Sequence, residues 1–175
     1  MPRNTEIKAR LGGAGPSLAE VADRAAALAT QPACDIAQDD TFFRCDNGRL
    51  KLRTFADGSG ELIHYRRDDT PGPKESSYVL APVADAAALR EALSRAWGQV
   101  GRVRKRRTLV MCGRTRIHLD RVEDLGDFLE LEVVLRDDES VEAGRREAHD
   151  LLRKLGVGEG SLVSGAYLDL LRAQG

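Results

Sequence analysis

The sequence has few cysteines, few aromatic residues and no long apolar run. Its 175 residues include three cysteines, and aromatic residues make up only 5% of the chain. Cys34, Cys45 and Cys112 are odd in number and have neither zinc-site nor disulfide spacing, so we expect a reducing, cytoplasmic location and no structural bridge. No apolar run approaches the roughly 20 residues of a membrane span, and the first residues do not resemble a secretory signal, so we expect no membrane partner.

The chain also lacks an excess of charge of either sign. Lys and Arg number 27, Asp and Glu number 28, and the net charge is −1 at pH 7. Nucleic-acid binders are normally basic overall, and the one basic run, at 102–107, is interrupted by Val103. We therefore expect no nucleic-acid partner. The length suits one domain with a substantial core, which we expect to span residues 1–175.

Polar side chains occupy every second position at the start of the chain. Asn4, Glu6, Lys8 and Arg10 alternate with the mostly apolar residues between them. Successive side chains of a strand point to opposite faces. The segment therefore predicts a strand with one face of mixed charge and one face packed on apolar material.

The same period of two recurs in most of the other strand-like segments. The polar positions are Lys51 and Arg53, Tyr65 and Arg67, Lys105 and Arg107, then Arg114, Arg116, His118 and Asp120, and finally Glu130 and Glu132. The wetted face of an open sheet would explain any one of these strands. Charge on nearly every strand favours instead a closed antiparallel barrel with a charged interior.

A barrel lined with Lys and Arg would repel itself unless it held an anion. Carboxylates on one wall could hold a hard cation such as Mg²⁺ or Mn²⁺ through oxygen ligands, and Arg and Lys grip phosphate oxygens. The pattern therefore predicts a cavity for a polyphosphate and its metal. The alternative is a plain antiparallel domain that binds other proteins through its outer helices.

Helix and turn signals complete the predicted architecture. Apolar periodicity and cap residues predict helices over 18–28, 85–97, 140–155 and 167–171, and a short strand is predicted over 41–43. We count about eight strands, joined largely by hairpins. The predicted fold class is α+β: an eight-stranded antiparallel β-barrel, or tunnel, with helices packed on the outside.

These residues resemble the CYTH superfamily, also called the triphosphate tunnel metalloenzymes. The hallmark of that family is ExExK on the first strand, and this sequence reads Asn4-x-Glu6-x-Lys8, with Asn in place of the first Glu. Further segments similar to the family follow in the expected order over nearly the whole chain. They are Asp40-Thr41-Phe42-Phe43, Arg49 to Arg53, Lys105 to Arg107, His118 to Gly126, Phe128 to Glu132 and Gly165 to Leu171.

The resemblance implies roles for individual residues. The implied metal ligands, for Mg²⁺ or Mn²⁺, are Glu6, Glu130 and Glu132, with Asp120 as a further candidate. The implied triphosphate-binding residues are Lys8, Lys51, Arg53, Arg67, Lys105, Arg107 and Arg116, and Arg10 extends the basic side of the first strand. The implied catalytic residues are Glu6, Lys8, Asp120 and Glu132. A one-residue slip of register would exchange Arg67 for Arg66, and we expect Asn4 to weaken metal affinity at its position.

The resemblance also implies a reaction class. The sequence is most similar to the cyclase-like branch of the family. The superfamily includes class IV adenylate cyclases, thiamine triphosphatases and inorganic triphosphatases, so we expect a metal-dependent enzyme acting on ATP, inorganic triphosphate or thiamine triphosphate. Hydrolysis asks less of the protein than cyclisation, because cyclisation also needs recognition of the base. We therefore expect a triphosphatase, with an adenylate cyclase or a non-catalytic polyphosphate binder as alternatives. A homodimer is compatible with the family.

Overall fold

Eight antiparallel strands close into a barrel. The structure is a computed structural model that describes residues 3–67 and 74–174, without the side chains of 67 and 74–76. The strands are β1 (Arg3–Arg10), β2 (Cys34–Phe43), β3 (Arg49–Thr54), β4 (Gly60–Arg67), β5 (Lys74–Val83), β6 (Gln99–Cys112), β7 (Thr115–Val122) and β8 (Gly126–Val134). Their order around the barrel is β1-β5-β4-β3-β2-β6-β7-β8, and each neighbouring pair is antiparallel. The predicted α+β barrel is confirmed.

Four helices pack on the outside of this barrel or at its end. They are α1 (Leu18–Leu28), α2 (Ala86–Trp97), α3 (Val141–Lys154) and α4 (Tyr167–Arg172). Ser17 opens α1 in a capping box with Glu20, and the side chains of Asp85 and Ser140 cap α2 and α3. These signals locate the helices to within one residue of their predicted ends. None of the helices in the described part of the chain has the length and apolar character that a membrane crossing requires.

The largest apolar core lies between the barrel wall and helices α1 and α3. Outward-facing residues of the wall, such as Ile7, Ile117 and Leu131, are buried against helix residues such as Val21 and Leu152. Two smaller clusters join α4 to β6 and β8, and α2 to β2 and β3. Because the outer faces of β1, β7 and β8 supply the largest core, their inner faces can carry charge.

Strand β2 is longer than the sequence pattern predicts. A strand was expected over 41–43, but β2 begins at Cys34. Residues 34–40 are largely polar or small and show no apolar alternation, so local propensity does not mark them as a strand. Their backbone pairs with β6, from Cys34 opposite Leu109 onward. This pairing brings three more residues, Ile36, Gln38 and Asp40, to the barrel interior.

Candidate functional site

The barrel interior encloses a cavity of about 440 Å³. All eight strands contribute side chains to it, and Ala166 and Tyr167, where α4 begins, reach it from one end. The contributing side chains occupy alternate positions, as Asn4, Glu6 and Lys8 do on β1. The charged faces of the strands therefore point inward.

Carboxylates gather on one wall, which we call the acidic wall and which consists of Glu6, Glu130 and Glu132. The strand register sets Glu6 opposite Glu132, and it sets Glu130 between Lys8 of β1 and His118 of β7. One ligand atom from each of His118, Glu130 and Glu132 lies within 4.8 Å of the others. Carboxylate oxygens and imidazole nitrogens are ligands of divalent cations, so this cluster could hold a metal ion.

Cations gather across the cavity on the basic wall, which consists of Lys51, Arg53, Lys105 and Arg107. Buried Asp40 holds the first two: Lys51 Nζ lies 2.7 Å from Asp40 Oδ2, and Arg53 donates from Nε and Nη2 at 2.8 and 2.9 Å. Burial alone would raise the pKa of Asp40, but Lys51 and Arg53 hold it well below its usual range. Asp40 therefore stays ionised and fixes both cations in place.

A second buried aspartate, Asp120 of β7, fixes the other half of the basic wall. Arg107 donates to its two oxygens from Nε and Nη2, both at 2.6 Å, and Lys105 Nζ lies 3.4 Å away. The hydroxyl of Tyr167 donates to the same carboxylate at 2.7 Å. Burial alone would raise the pKa of Asp120, but Lys105 and Arg107 lower it well below its ordinary value. The start of α4 is thereby tied to the barrel interior.

Two cations contact Glu130 of the acidic wall, and one of them, Arg107, belongs to the basic wall. Arg107 Nη2 lies 3.3 Å from Glu130 Oε1, and Lys8 Nζ lies 3.3 Å from Glu130 Oε2. Lys8 Nζ is also 4.0 Å from the ring centre of Tyr167. Burial alone would raise the pKa of Glu130, but Lys8, His118 and Arg107 hold it well below its ordinary value. This carboxylate is therefore ionised at neutral pH.

The positive charges of the two lysines in the basic wall are only partly offset by neighbouring carboxylates. Burial, together with repulsion from Arg107, lowers the pKa of Lys105 to about 7. Burial and the nearby Arg53 also lower the pKa of Lys51. A bound anion would favour the charged form of both side chains, so these lysines are suited to receive one.

The structure brings most of the residues predicted from sequence to this cavity. They are Glu6, Lys8, Lys51, Arg53, Lys105, Arg107, Arg116, Glu130 and Glu132, together with Asn4 and His118. Arg116 Nη1 donates to Glu132 at 3.3 Å, at the edge of the acidic wall.

Two predicted residues are placed otherwise. Arg10 does not line the cavity, because it is exposed, donates to the carbonyl of Leu125 at 2.9 Å and lies over the ring of Phe128. Asp120 is fully buried behind the lining, and a carboxylate held by two cations and a hydroxyl is poorly placed for its predicted metal and catalytic roles. The side chain of Arg67 lies outside the described residues.

Sequence reasoning missed two residues that hold the basic wall in place. Asp40 lies in a segment similar to the family, but nothing marked the polar run before it as a strand, so its inward orientation was not recognised. Tyr167 begins a predicted helix, yet no local signal shows that this helix returns to the barrel. The aromatic at its start, before the apolar pair Leu170 and Leu171, was the one available indication.

Comparison with known proteins places this barrel in a family. The CYTH domain model matches residues 2–167. No curated protein matches the sequence. Among solved structures, the PH1012 protein of Pyrococcus horikoshii OT3 has a TM-score of 0.83 and 24% identity over 96% of this chain and 99% of that chain.

Two further solved structures share the fold at lower identity. A candidate adenylate cyclase from Vibrio parahaemolyticus has a TM-score of 0.73 and 13% identity over 97% of both chains. The Pct1 RNA triphosphatase of S. pombe, solved with the Spt5 CTD, has a TM-score of 0.54 and 13% identity over 89% of this chain and 84% of that chain. Identities this low show a common fold alone. By the match of the family model over nearly its whole length, the chain belongs to the CYTH domain family.

Proposed function

We propose that this protein is a divalent-metal-dependent enzyme that hydrolyses a triphosphate inside the barrel. One observation carries the proposal: a single cavity has the acidic wall on one side and the basic wall on the other. Membership of the CYTH family supports an enzyme acting on triphosphates. The structural likeness to an RNA triphosphatase agrees with hydrolysis.

The acidic wall fits a divalent cation. The cluster of His118, Glu130 and Glu132 offers three ligand atoms, and Glu6 lies opposite Glu132 on the next strand. A hard cation bound there would offset negative charge on the phosphate oxygens. The charges of the lining indicate that such a cation is needed. Among its described residues, six Lys and Arg side chains are offset by five carboxylates, so the cations alone are too few to neutralise a triphosphate.

The basic wall is arranged to hold phosphate oxygens. Arg53 and Arg107 each present the Nε and Nη2 edge of the guanidinium to a buried aspartate. This orientation fixes both guanidinium planes and leaves Nη1 for a phosphate oxygen, while Lys51 and Lys105 add point charges. Such preorganisation lets the wall bind without reordering its side chains at the moment of reaction.

The attacking water needs a group that orients it and accepts its proton. Glu6 and Glu132 line the cavity and are the carboxylates we assign to this role, whereas Asp120 is occupied by Arg107 and Tyr167. Lys8, held beside Glu130, would stabilise charge on the transferred phosphoryl group. The reaction is an in-line displacement accelerated by positioning and charge neutralisation.

The second candidate is cyclisation of ATP to cyclic AMP and pyrophosphate. It is favoured by one observation, the fold shared with a candidate adenylate cyclase at a TM-score of 0.73. The same two walls would serve, since both reactions displace a phosphate oxygen in line. They differ in which phosphorus is attacked.

A product-resolved assay separates these functions. The purified protein is incubated with ATP, inorganic triphosphate or thiamine triphosphate, each with Mg²⁺, Mn²⁺ or EDTA, and orthophosphate, pyrophosphate and cyclic AMP are quantified. We expect metal-dependent orthophosphate release; cyclic AMP with pyrophosphate would establish the cyclase instead. Glu132→Gln should lower the rate by about 100-fold. The matched control is Glu123→Gln, an exposed carboxylate outside the barrel that pairs with Arg104.

Binding of a triphosphate with no turnover under any metal would reject the enzyme and leave a polyphosphate-binding protein. Equal rates for wild type and Glu132→Gln would show that Glu132 does not take part in the reaction.

A further inference from the structure

Two residues of the cavity lining carry a buried polar atom that has no partner among the described residues. Four such atoms are present in the described part of the chain, namely Asn4 Oδ1, Gln38 Oε1, Thr41 Oγ1 and Arg90 Nε, and of these residues Asn4 and Gln38 line the cavity. A buried acceptor without a donor destabilises a protein, so each atom indicates a partner that the chain does not supply. Asn4 lies beside the acidic wall and its metal site. Gln38 lies instead on the basic wall, so a metal ion held by the acidic wall would not supply its partner.

Gln38 lies where the two halves of the basic wall meet. On β2 it is two residues before Asp40, the carboxylate that holds the first half. Across the strand pair it is opposite Lys105, which belongs to the half that Asp120 holds. Gln38 is only 6% exposed. The basic wall therefore has one uncharged polar group between its two pairs of cations.

The amide of Gln38 can serve an anion and a cation at the same time. An ionised phosphate oxygen only accepts hydrogen bonds, so it would take a donor from Nε2. The ammonium group of Lys105 has three donors, and Asp120 Oδ2, at 3.4 Å, needs one of them, so another could reach Oε1. An uncharged donor at this place also adds nothing to the repulsion among the cations of the wall.

We propose that Gln38 is a substrate-binding residue, which donates from Nε2 to a phosphate oxygen held between the two halves of the basic wall. The guest draws the ammonium group of Lys105 toward the cavity, where it donates to Gln38 Oε1, so this acceptor gains its partner when the phosphate chain is bound. The inference rests on the proposed function for the identity of the guest, and it holds whether the triphosphate is hydrolysed, cyclised or only bound.

Calorimetric titration of inorganic triphosphate into the Mn²⁺-saturated protein tests this role. Gln38→Met keeps the length of the side chain and removes the amide, so we expect binding about 10-fold weaker, through the loss of one hydrogen bond to a charged group. Gln38→Glu puts an anion beside the phosphate chain and should weaken binding about 100-fold. Gln99→Met and Gln99→Glu are the matched controls. Gln99 is exposed and donates to Ser94 outside the barrel, so both controls should bind as the wild type does.

Thermal transitions of the proteins without triphosphate separate binding from a structural role. Because Gln38 Oε1 has no partner in the free protein, Gln38→Met should unfold at no lower temperature than the wild type, whereas a structural glutamine would lose stability and affinity together. The inference is overturned if Gln38→Met and Gln38→Glu bind triphosphate as tightly as the wild type, or if Gln38→Met loses affinity only together with stability. A wild type that binds no triphosphate would instead reject the proposed function.

Discussion

Asp40 and Asp120 are the individual residues that stabilise buried cations inside the barrel. Each is almost fully buried and receives two hydrogen bonds from one guanidinium. Burial of an unpaired cation is expensive, so these carboxylates are what allows Arg53 and Arg107 to remain charged and ordered within the wall. The two aspartates position the arginines, and their effect on stability can be measured separately from any reaction.

We expect Asp40→Asn to lower the free energy of unfolding by about 3 kcal/mol, since it leaves Lys51 and Arg53 without their buried counter-charge. The adjacent residue provides a matched control. Asp39 lies on the outer face and pairs with partly exposed Arg102, so Asp39→Asn should cost less than about 1 kcal/mol. Urea denaturation of both variants makes the measurement, and equal losses would contradict the assigned role of Asp40.

The lowered pKa of Lys105 predicts a pH dependence of stability. Its pKa falls from 10.5 to about 7 in the folded protein. Between these values the unfolded chain binds more protons, so this lysine makes the wild type more stable as pH rises through the window, by at most about 1.4 kcal/mol per pH unit. Lys105→Met should lack this component. Parallel stability profiles for both proteins between pH 7 and 10 would contradict it.

Asn4 offers a test of the metal site. It lines the cavity and is 2% exposed, and its Oδ1 has no hydrogen-bond partner among the described residues. Asn4→Glu would place an anionic oxygen beside the acidic wall, so we expect Mn²⁺ to bind about 10-fold more tightly. Asn4→Gln, of similar size and uncharged, should not tighten it. Unchanged calorimetric affinity in Asn4→Glu would show that this position lies away from the ion.

At the scale of elements, α4 is the part of the fold that completes the site. Tyr167 reaches Asp120 from the start of this helix, and Leu168 packs in the same cluster as Val103 of β6. The periodicity of the local sequence predicts the limits of the helix, but its position depends on contacts with strands that are distant along the chain, such as Tyr167 with Asp120, 47 residues earlier. Strand β2 also depends on distant contacts, because its polar first half is paired with β6.

The docking of α4 can be tested at Gly101 of β6. A Cβ at this position would overlap Leu168 Cδ1, so Gly101→Ala should lower the free energy of unfolding by about 1–3 kcal/mol. It should also weaken triphosphate binding, because a displaced α4 carries Tyr167 away from Asp120. Gly158→Ala is the control: a Cβ there meets nothing within 4 Å, at a φ of −78°. A loss in the control as large as in Gly101→Ala would contradict tight docking.

At the scale of the whole molecule, alternation along the strands was sufficient to predict the barrel and most of the charged residues that line it. Glu6, Lys8, Arg107 and Glu130 occupy the positions that a period of two assigns to one face. The same period could not distinguish a residue that reaches the cavity from one that lies behind its lining or beyond its end. Asp120 and Arg10 keep the period and yet lie outside the lining, because packing against Arg107 and Phe128 decides their place.

The central claim is that the two walls act on one guest, a triphosphate that shares its oxygens with a metal ion. Calorimetric titration of inorganic triphosphate into the metal-free and the Mn²⁺-saturated protein tests it most directly. Since coupling between two ligands is reciprocal, we predict that Mn²⁺ tightens triphosphate binding about 10-fold and that triphosphate tightens Mn²⁺ binding by the same factor. Equal triphosphate affinity with and without the metal would contradict the account.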